Sequence, residues 1–386
     1  MREVVRATDP RIAALIERQT RQYVEREGLG LDRIRELLAR LGHPERGLPP
    51  VFHVAGTNGK GSTCAFLRAG IEASGRRAHV FTSPHLVRYN ERIRLAGTLI
   101  GDDYLSDVMT RALDADDGLG SSLFEINTAA ALLAFSETPA DACILEVGLG
   151  GRLDATNVVD RPAACGIASL GLDHQQYLGG TLAEVAAEKA GIAKRGVPLV
   201  ALQPPDDALA AMADVAAERG APLLLEGRDW QVDPTLQPSL SGPHQLRNAN
   251  LAWAMLSAQR SVIVEKSEFQ EGIKLAQWPA RFQRLSSGPL AGARETLVDG
   301  AHNPDAAKAL AALLADRPMH LIMGILATKD ADGIVAPLLP HALSLTFVPV
   351  PEHPSHDPAA LADRFGGIAS PDVETALASL PAPRLV

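Results

Sequence analysis

Cysteine is scarce in this sequence: there are three in 386 residues, Cys64, Cys143 and Cys165, far apart and inside apolar runs. That suits buried free thiols in a reducing cytoplasm better than a disulfide framework or a zinc site. Long hydrophobic runs are also missing, and none approaches the roughly 18 residues of a membrane-spanning helix. The opening "MREVVRATDPRIAALIERQT" holds no uninterrupted apolar core of signal-peptide type. Excess positive charge is absent as well. A formal net charge of −9 speaks against nucleic acid or an anionic membrane as the main partner, while leaving room for a local basic pocket. No internal repeat or long low-complexity tract interrupts the chain. What is present, 46% hydrophobic and 22% charged residues, is the balance of a soluble globular protein, here expected to be cytoplasmic. At 386 residues two domains are expected.

After an amphipathic opening, "LDRIRELLARLG" reads as a helix with Ile34, Leu37, Leu38 and Leu41 on one face. Apolar strand-like runs then alternate with helix-like ones: "VFHVAG", a helix from about Gly61, "AHVFTS", "NTAAALLAF" (helix), "ACILEVG", "CGIASLG", "TLAEVAAEKAGIAK" (helix), "VPLVAL", "ALAAMADVAAERG" (helix) and "APLLLEG". Such alternation implies a parallel sheet covered on both faces. A further helix begins near His244. "QWPARFQRLSSGPLAGA" carries turn formers without periodicity, which places a boundary near 286. Beyond it "TLVDGA", "NPDAAKALAALLAD", "MHLIMGI", "SLTFVPV" and "DPAALADRF" restart the pattern as a smaller α/β unit. The expected domains are 1–285 and 286–386.

The stretch "VFHVAGTNGKGSTCAFLRAG" looks like a phosphate loop with altered spacing, because Gly61 separates Lys60 from Ser62. Phosphate needs consecutive backbone N–H donors, a helix N-terminus and a cation. Gly56, Gly59 and Gly61 allow close backbone approach, Lys60 supplies the charge, and Ser62 and Thr63 offer hydroxyls to magnesium. In an open parallel sheet, ligands sit beyond the carboxyl ends of the strands. Thr82, Ser83 and His85, then Glu146, then Asp173 and His174 all fall at such ends. Hydroxyl, carboxylate and imidazole together suit a magnesium site beside a nucleotide.

In "TLAEVAAEKAGIAKRG" the apolar stripe runs through Leu182, Val185, Ala186, Ile192 and Ala193, and Lys189 falls on it. A buried ammonium is costly unless paired or neutralised. One reading is a snorkelling lysine or one paired with Glu146. The other is a neutral amine that takes up carbon dioxide as a carbamate and helps to hold a second magnesium ion. Both readings stay open on the sequence.

Taken together, "HVAGTNGKGST", "TSPHLVRYNERIR", "FEINTAAALLAF", "ILEVGLGGRLDATN", "LDHQQYLGGTLAEVAAEKAGI", "HQLRNANLAWAM", "PARFQ", "DGAHNP" and "MGILATKD" resemble folylpolyglutamate synthase/dihydrofolate synthase of the Mur ligase superfamily, over about Gly28 to Asp330. The resemblance implies a three-layer P-loop ATP-binding domain with a mostly parallel sheet, followed by a smaller Rossmann-like α/β domain. It implies ATP binding by Gly56, Thr57, Asn58, Gly59, Lys60, Gly61 and Ser62, with Asn248, Arg281 and Asp299 meeting the nucleotide. His302 is expected to orient phosphate or the incoming amine. Ser83, Glu146 and His174 match metal positions, and Lys189 matches a carbamylated lysine. The pterin substrate is expected near Gly28, Leu29, Gly30, Phe124, Glu125, Leu153, Asp154 and Ala155, with Phe124 offering a stacking face.

The implied reaction uses ATP and two magnesium ions. It joins L-glutamate to dihydropteroate or a folate through an acyl phosphate, in a monomer without nucleic-acid or membrane partners. The chain ends "ALASLPAPRLV", where the family usually continues with a last strand and helix, so an incomplete second sheet with an exposed edge is expected. Two alternatives are a Mur-type ligase with another acceptor and a nucleotide-binding module without ligase activity.

Overall fold

The computed structural model describes residues 7–24, 30–285, 288 and 295–386. They divide into two compact units. The larger runs to Ser239 and resumes over Gln245–Gln277; the smaller comprises Leu240–His244 and Trp278–Val386.

The larger unit is built on eight strands: β1 (Val51–Ala55), β2 (Ala78–Phe81), β3 (Ile93–Leu95), β4 (Thr98–Leu99), β5 (Ala142–Glu146), β6 (Ala164–Ile167), β7 (Leu199–Ala201) and β8 (Leu223–Leu225). Their order is β4-β3-β2-β5-β1-β6-β7-β8. From β2 to β8 all pairings are parallel, whereas β3 and β4 join antiparallel at one edge. The central strands are apolar throughout because both faces are covered. Val51, Phe81, Cys143 and Leu145 pack with the helices Pro10–Gln22, Asp32–Arg40, Asp102–Ala115 and Leu123–Glu137. The helix Lys60–Ala73 also lies against β1, β2 and β5, completing three layers. Leu123–Glu137 is buried at every position from Glu125 to Phe135, the mark of a helix enclosed on all sides. The β3–β4 hairpin and the Asp102–Ala115 helix did not stand out in the sequence, since charges punctuate their apolar positions.

The smaller unit holds β9 (Gln283–Leu285), β10 (Thr296–Val298), β11 (Met319–Met323), β12 (Ala342–Phe347), β13 (Ile368–Ala369) and β14 (Arg384–Leu385). Their order is β13-β12-β11-β14-β10-β9, with only β9 antiparallel. Leu297, Leu321, Leu345, Phe347 and Leu385 face one core; Ile322 and Val348 face another beneath Ala376, Leu377 and Leu380. The 285/286 boundary placed on the sequence falls inside this unit, because the segment read as a loop supplies β9, which pairs with β10. The carboxyl end is itself part of the sheet. Arg384–Leu385 forms an interior strand between β10 and β11, and among the described strands the edges are β9 and β13.

Leu385→Ala should therefore cost about 2–5 kcal/mol, as for other buried leucines, read by chemical denaturation. An unchanged midpoint would mean that β14 carries no core packing.

Candidate active site

The phosphate loop begins where β1 ends. Gly56 has φ +147°, and a Cβ there would fall 2.8 Å from Ala168 Cβ. Gly59, φ +88°, leads into the Lys60–Ala73 helix, and its Cβ would meet Asn248 Oδ1 at 2.5 Å. Only glycine fits these two places. The backbone N–H groups of Thr57 and Asn58 donate to Ser169 O (2.8 and 3.2 Å), and Thr57 Oγ1 donates to Gly171 O (2.9 Å), tying the loop to the segment after β6. Thr63 N–H bonds Gly59 O, so the N–H groups of Lys60, Gly61 and Ser62 precede the first intrahelical bond and open toward an anion. Lys60 Nζ rests on Gly56 O (3.0 Å) and Thr57 O (3.3 Å). Ser62 Oγ is buried without a hydrogen-bond partner.

Strand order brings the other candidates to the same edge. β2, β5, β1 and β6 are parallel neighbours, with Phe81 opposite Leu145, Val54 opposite Glu146, and Ala55 opposite Ile167. The loops carrying Ser83, Glu146, Lys60 and His174 therefore leave one rim, at the point where strand order reverses about β1. Ser83 N–H donates to Glu146 Oε2 at 3.3 Å, and Glu146 is buried. Burial chiefly pushes the Cys64 thiol up, and the charges of Glu146 and Lys60 both reach it. His174, half exposed, follows Asp173, whose Oδ1 accepts from His174 N–H (2.9 Å). Among the described residues no three His, Cys, Asp or Glu side chains form a metal cluster. The candidate set supplies only two such ligands, Glu146 and His174, plus hydroxyls. That composition fits a magnesium-like ion, which takes few protein ligands alongside substrate phosphates and water. The unpartnered Ser62 hydroxyl fits it too.

Lys189 does not snorkel. It is 4% exposed, and its Nζ donates to Gly56 O at 3.0 Å, the carbonyl that Lys60 also uses. Burial first, then the Lys60 charge, lowers its pKa from 10.5 to about 7, against the pull of Asp173, Asp154 and Glu188. Its helix, Leu182–Ala190, ends against the loop after β5. A Cβ on Gly151 would strike Lys189 O at 2.8 Å, and one on Gly191 would strike Arg152 Cβ at 2.3 Å.

Of the residues expected around the pterin, Gly28 and Leu29 lie outside the described residues, while Gly30 has open space about its Cα. Phe124, half-buried, packs its ring 5.8 Å from that of Phe81. Leu153 is half-buried and Ala155 buried. The two carboxylates have protein partners. Glu125 pairs with Arg33 (3.1 Å) and accepts from Ser122 N–H and Oγ (both 2.7 Å). Asp154 accepts from the N–H groups of Gly148, Leu149 and Thr156 and from the Thr156 hydroxyl. Each carboxylate is thus engaged in holding its own loop or helix end. Nothing near these carboxylates in the sequence signals their partners.

Asn248 touches the phosphate loop at Gly59, with its Nδ2 donating to Gln245 Oε1 (3.2 Å). In the smaller unit, the Asp299 carboxylate accepts from Phe282 and Ala301 N–H (2.8 Å each), His302 Nδ1 lies 2.9 Å from Gly300 O, and Arg281 Nη1 lies beside Gly300. His244 joins this group unforeseen: burial lowers its pKa, and the charges of Asp299 and Arg281 reach it. Its place at the head of "HQLRNAN" was the one available signal.

A family profile described as "Mur ligase, glutamate ligase domain" matches residues 280–382. Together with the phosphate loop, it places the chain among the Mur-type ATP-dependent ligases. Dihydrofolate synthase/folylpolyglutamate synthase of Bacillus subtilis is 36% identical over 318 residues, 75% of this chain and 72% of the relative. Its Escherichia coli counterpart is 38% identical over 323 residues, 80% and 74%. The E. coli FolC structure in complex with DHPP and ADP superposes with a TM-score of 0.87 at 32% identity, covering 99% of this chain and 95% of that one. A bifunctional folylpolyglutamate synthase/dihydrofolate synthase with Mn, AMPPNP and L-glutamate bound gives 0.86 at 32%, over 99% and 95%. The chain belongs to the folylpolyglutamate synthase/dihydrofolate synthase family. No helix among the described residues is long and apolar enough to cross a membrane.

The lowered pKa of Lys189 makes a signed prediction. Between about pH 7 and pH 10.5 the unfolded chain keeps this proton and the folded chain does not. Stability conferred through Lys189 therefore rises with pH in that window, by at most about 1.4 kcal/mol per pH unit. Denaturation of wild type and Lys189→Met across this range should show wild type gaining on the variant; parallel curves would contradict a buried neutral amine.

Proposed function

We propose that the protein joins L-glutamate to the carboxyl group of dihydropteroate or a folate, with ATP cleaved to ADP and phosphate. The observation that carries this reading is the shared rim: a phosphate loop with Lys60, the unpartnered Ser62 hydroxyl, and Ser83 bonded to Glu146. A carboxylate does not condense with an amine in water unactivated. Transfer of the γ-phosphoryl group to it gives an acyl phosphate, the glutamate nitrogen attacks the acyl carbon, and phosphate leaves as the amide forms.

Lys60, held on two neutral carbonyls, is set to exchange them for phosphate oxygens, and the helix N-terminus behind it draws the same charge. Magnesium, as two ions, would be held by Ser62, Ser83, Glu146 and His174, and supplies charge neutralisation during phosphoryl transfer. Lys189 is suited to carbamate formation. Its neutral nitrogen attacks carbon dioxide, loses a proton and becomes an anion that can serve the second ion. Asn248, Arg281 and Asp299 are the remaining nucleotide contacts, and His302 orients phosphate or the incoming amine. Phe124 offers its ring to the heterocycle. The working unit is a monomer, and three free buried thiols support a cytoplasmic setting.

Assaying ADP release with dihydropteroate and with a reduced folate monoglutamate, side by side and with or without glutamate, tests this reading. Release that requires glutamate and one of the acids is expected; turnover indifferent to both would refute it. Lys60→Ala should lower kcat by at least about 10²–10³-fold, the scale of losing one stabilising donor to the transition state. Lys189→Ala should weaken turnover without rescue by bicarbonate, and recovery on adding bicarbonate would rule out the carbamate role.

A further inference from the structure

His53 sits in the middle of β1, fully buried between Phe52 and Val54. Burial, aided by the Lys194 charge, holds its imidazole neutral, with a pKa near 3. Its Nε2 lies 2.8 Å from Thr156 Oγ1. The Thr156 hydroxyl proton goes to Asp154 Oδ1, so the hydroxyl oxygen accepts the His53 Nε2–H bond. Asp154 then receives Thr156 N–H (2.9 Å), Gly148 N–H (3.0 Å) and Leu149 N–H (2.9 Å). With all four groups donating to it, this carboxylate is hydrogen-bonded as suits the anion, while burial pushes its pKa up. The bonds run in one direction, from the sheet interior through a hydroxyl to a carboxylate and on to a loop backbone.

Gly148, Gly150 and Gly151 carry no side chains, and Gly150 takes φ +69°. Their bareness allows two close contacts. A Cβ on Gly148 would lie 2.4 Å from Phe124 Cζ, and Gly151 packs on the Lys189 backbone. His53 Nδ1, meanwhile, is buried without a hydrogen-bond partner. Leaving such a group unpaired is costly, a cost that an apolar residue at this position of β1 would not carry. The Nε2–H bond to Thr156 is what histidine adds here.

We infer that His53 and Thr156 are positioning residues which, through Asp154, hold the Gly148–Leu149 backbone against Phe124 and so set the seat for the heterocyclic end of the acid substrate. The inference rests on the proposed function only for what Phe124 receives. The relay itself stands on the hydrogen bonds.

The test uses the full chain with Thr156→Val, Thr156→Ser and His53→Phe. In Thr156→Val, KM for dihydropteroate should rise about 10- to 100-fold, the scale seen when a supporting partner behind a ligand is lost, with KM for ATP within about twofold. Thr156→Ser, keeping the hydroxyl, should stay near wild type. Amide hydrogen exchange at Gly148 and Leu149 should quicken at least about tenfold in Thr156→Val, while β1 stays protected. If Thr156→Val fails to fold, His53→Phe must show the same two changes in smaller degree. Unchanged exchange at Gly148 and Leu149 overturns the relay whatever the activity. Equal rises in KM for ATP and for dihydropteroate, or a loss confined to thermal stability, overturn the positioning role. A wild-type chain inactive on dihydropteroate but with slow, Thr156-dependent exchange would refute the substrate reading and leave the relay standing.

Discussion

Two lysine amines share the carbonyl oxygen of Gly56, and the site is organised around that crowding. One amine arrives from the first turn of the helix that follows β1, the other from the end of the helix Leu182–Ala190. Both need Gly56 at a backbone angle only glycine tolerates, pressed against Ala168. Burial first, and then the neighbouring Lys60 charge, lowers Lys189 to about 7, while the Lys60 side chain lies at the half-buried rim. Neutral carbonyls are weak partners for an ammonium group. On the reading proposed for this site, a polyphosphate, offering several anionic oxygens to Lys60 and to the helix N-terminus together, would displace them.

The crowding is useful because of strand order. Had β5 not inserted between β2 and β1, Glu146 would not stand beside both the Ser83 turn and the phosphate loop. Parallel pairing aligns the carboxyl ends, so residues far apart in sequence meet at a single rim without any long loop reaching across. If that rim holds a cation as proposed, its hydroxyl-rich, carboxylate-poor composition would select the kind. A site with few anionic ligands leaves much of the ion's coordination to phosphate and water, which suits a cation that must engage the transferring group.

Much of this was legible in the sequence, for identifiable reasons. Apolar runs bounded by glycine and polar residues marked β1, β2, β5 and β6, because strands buried on both faces have no polar alternation to blur them. Lys189 stood out because a charge on an apolar stripe conflicts with its surroundings, and that conflict survived in the folded chain as a depressed pKa. Less visible were the elements whose apolar positions are punctuated by charge, such as β3 and the helix Asp102–Ala115. Invisible altogether were the partners of buried carboxylates. Nothing local to Glu125 announces Arg33, and nothing local to Asp154 announces that its neighbours fold back to donate to it. β14 was missed for a similar reason: a two-residue strand acquires its place only from β10 and β11 on either side.

Those engaged carboxylates bear on how an anionic acid is accommodated. Glu125 is matched by Arg33, and Asp154 by four donors, so neither presents an uncompensated negative charge where Phe124 offers its ring. Positive charge lies instead at Gly56, where Lys60 rests beside the N-terminus of the helix Lys60–Ala73. One loop, from Gly148 to Gly151, touches the aromatic side at Phe124 and the lysine side at the Lys189 backbone. A substrate with a flat uncharged heterocycle at one end and a carboxylate at the other meets a surface graded in the same sense. Orientation then follows from shape and charge together, and the carboxylate is drawn toward the phosphates that activate it.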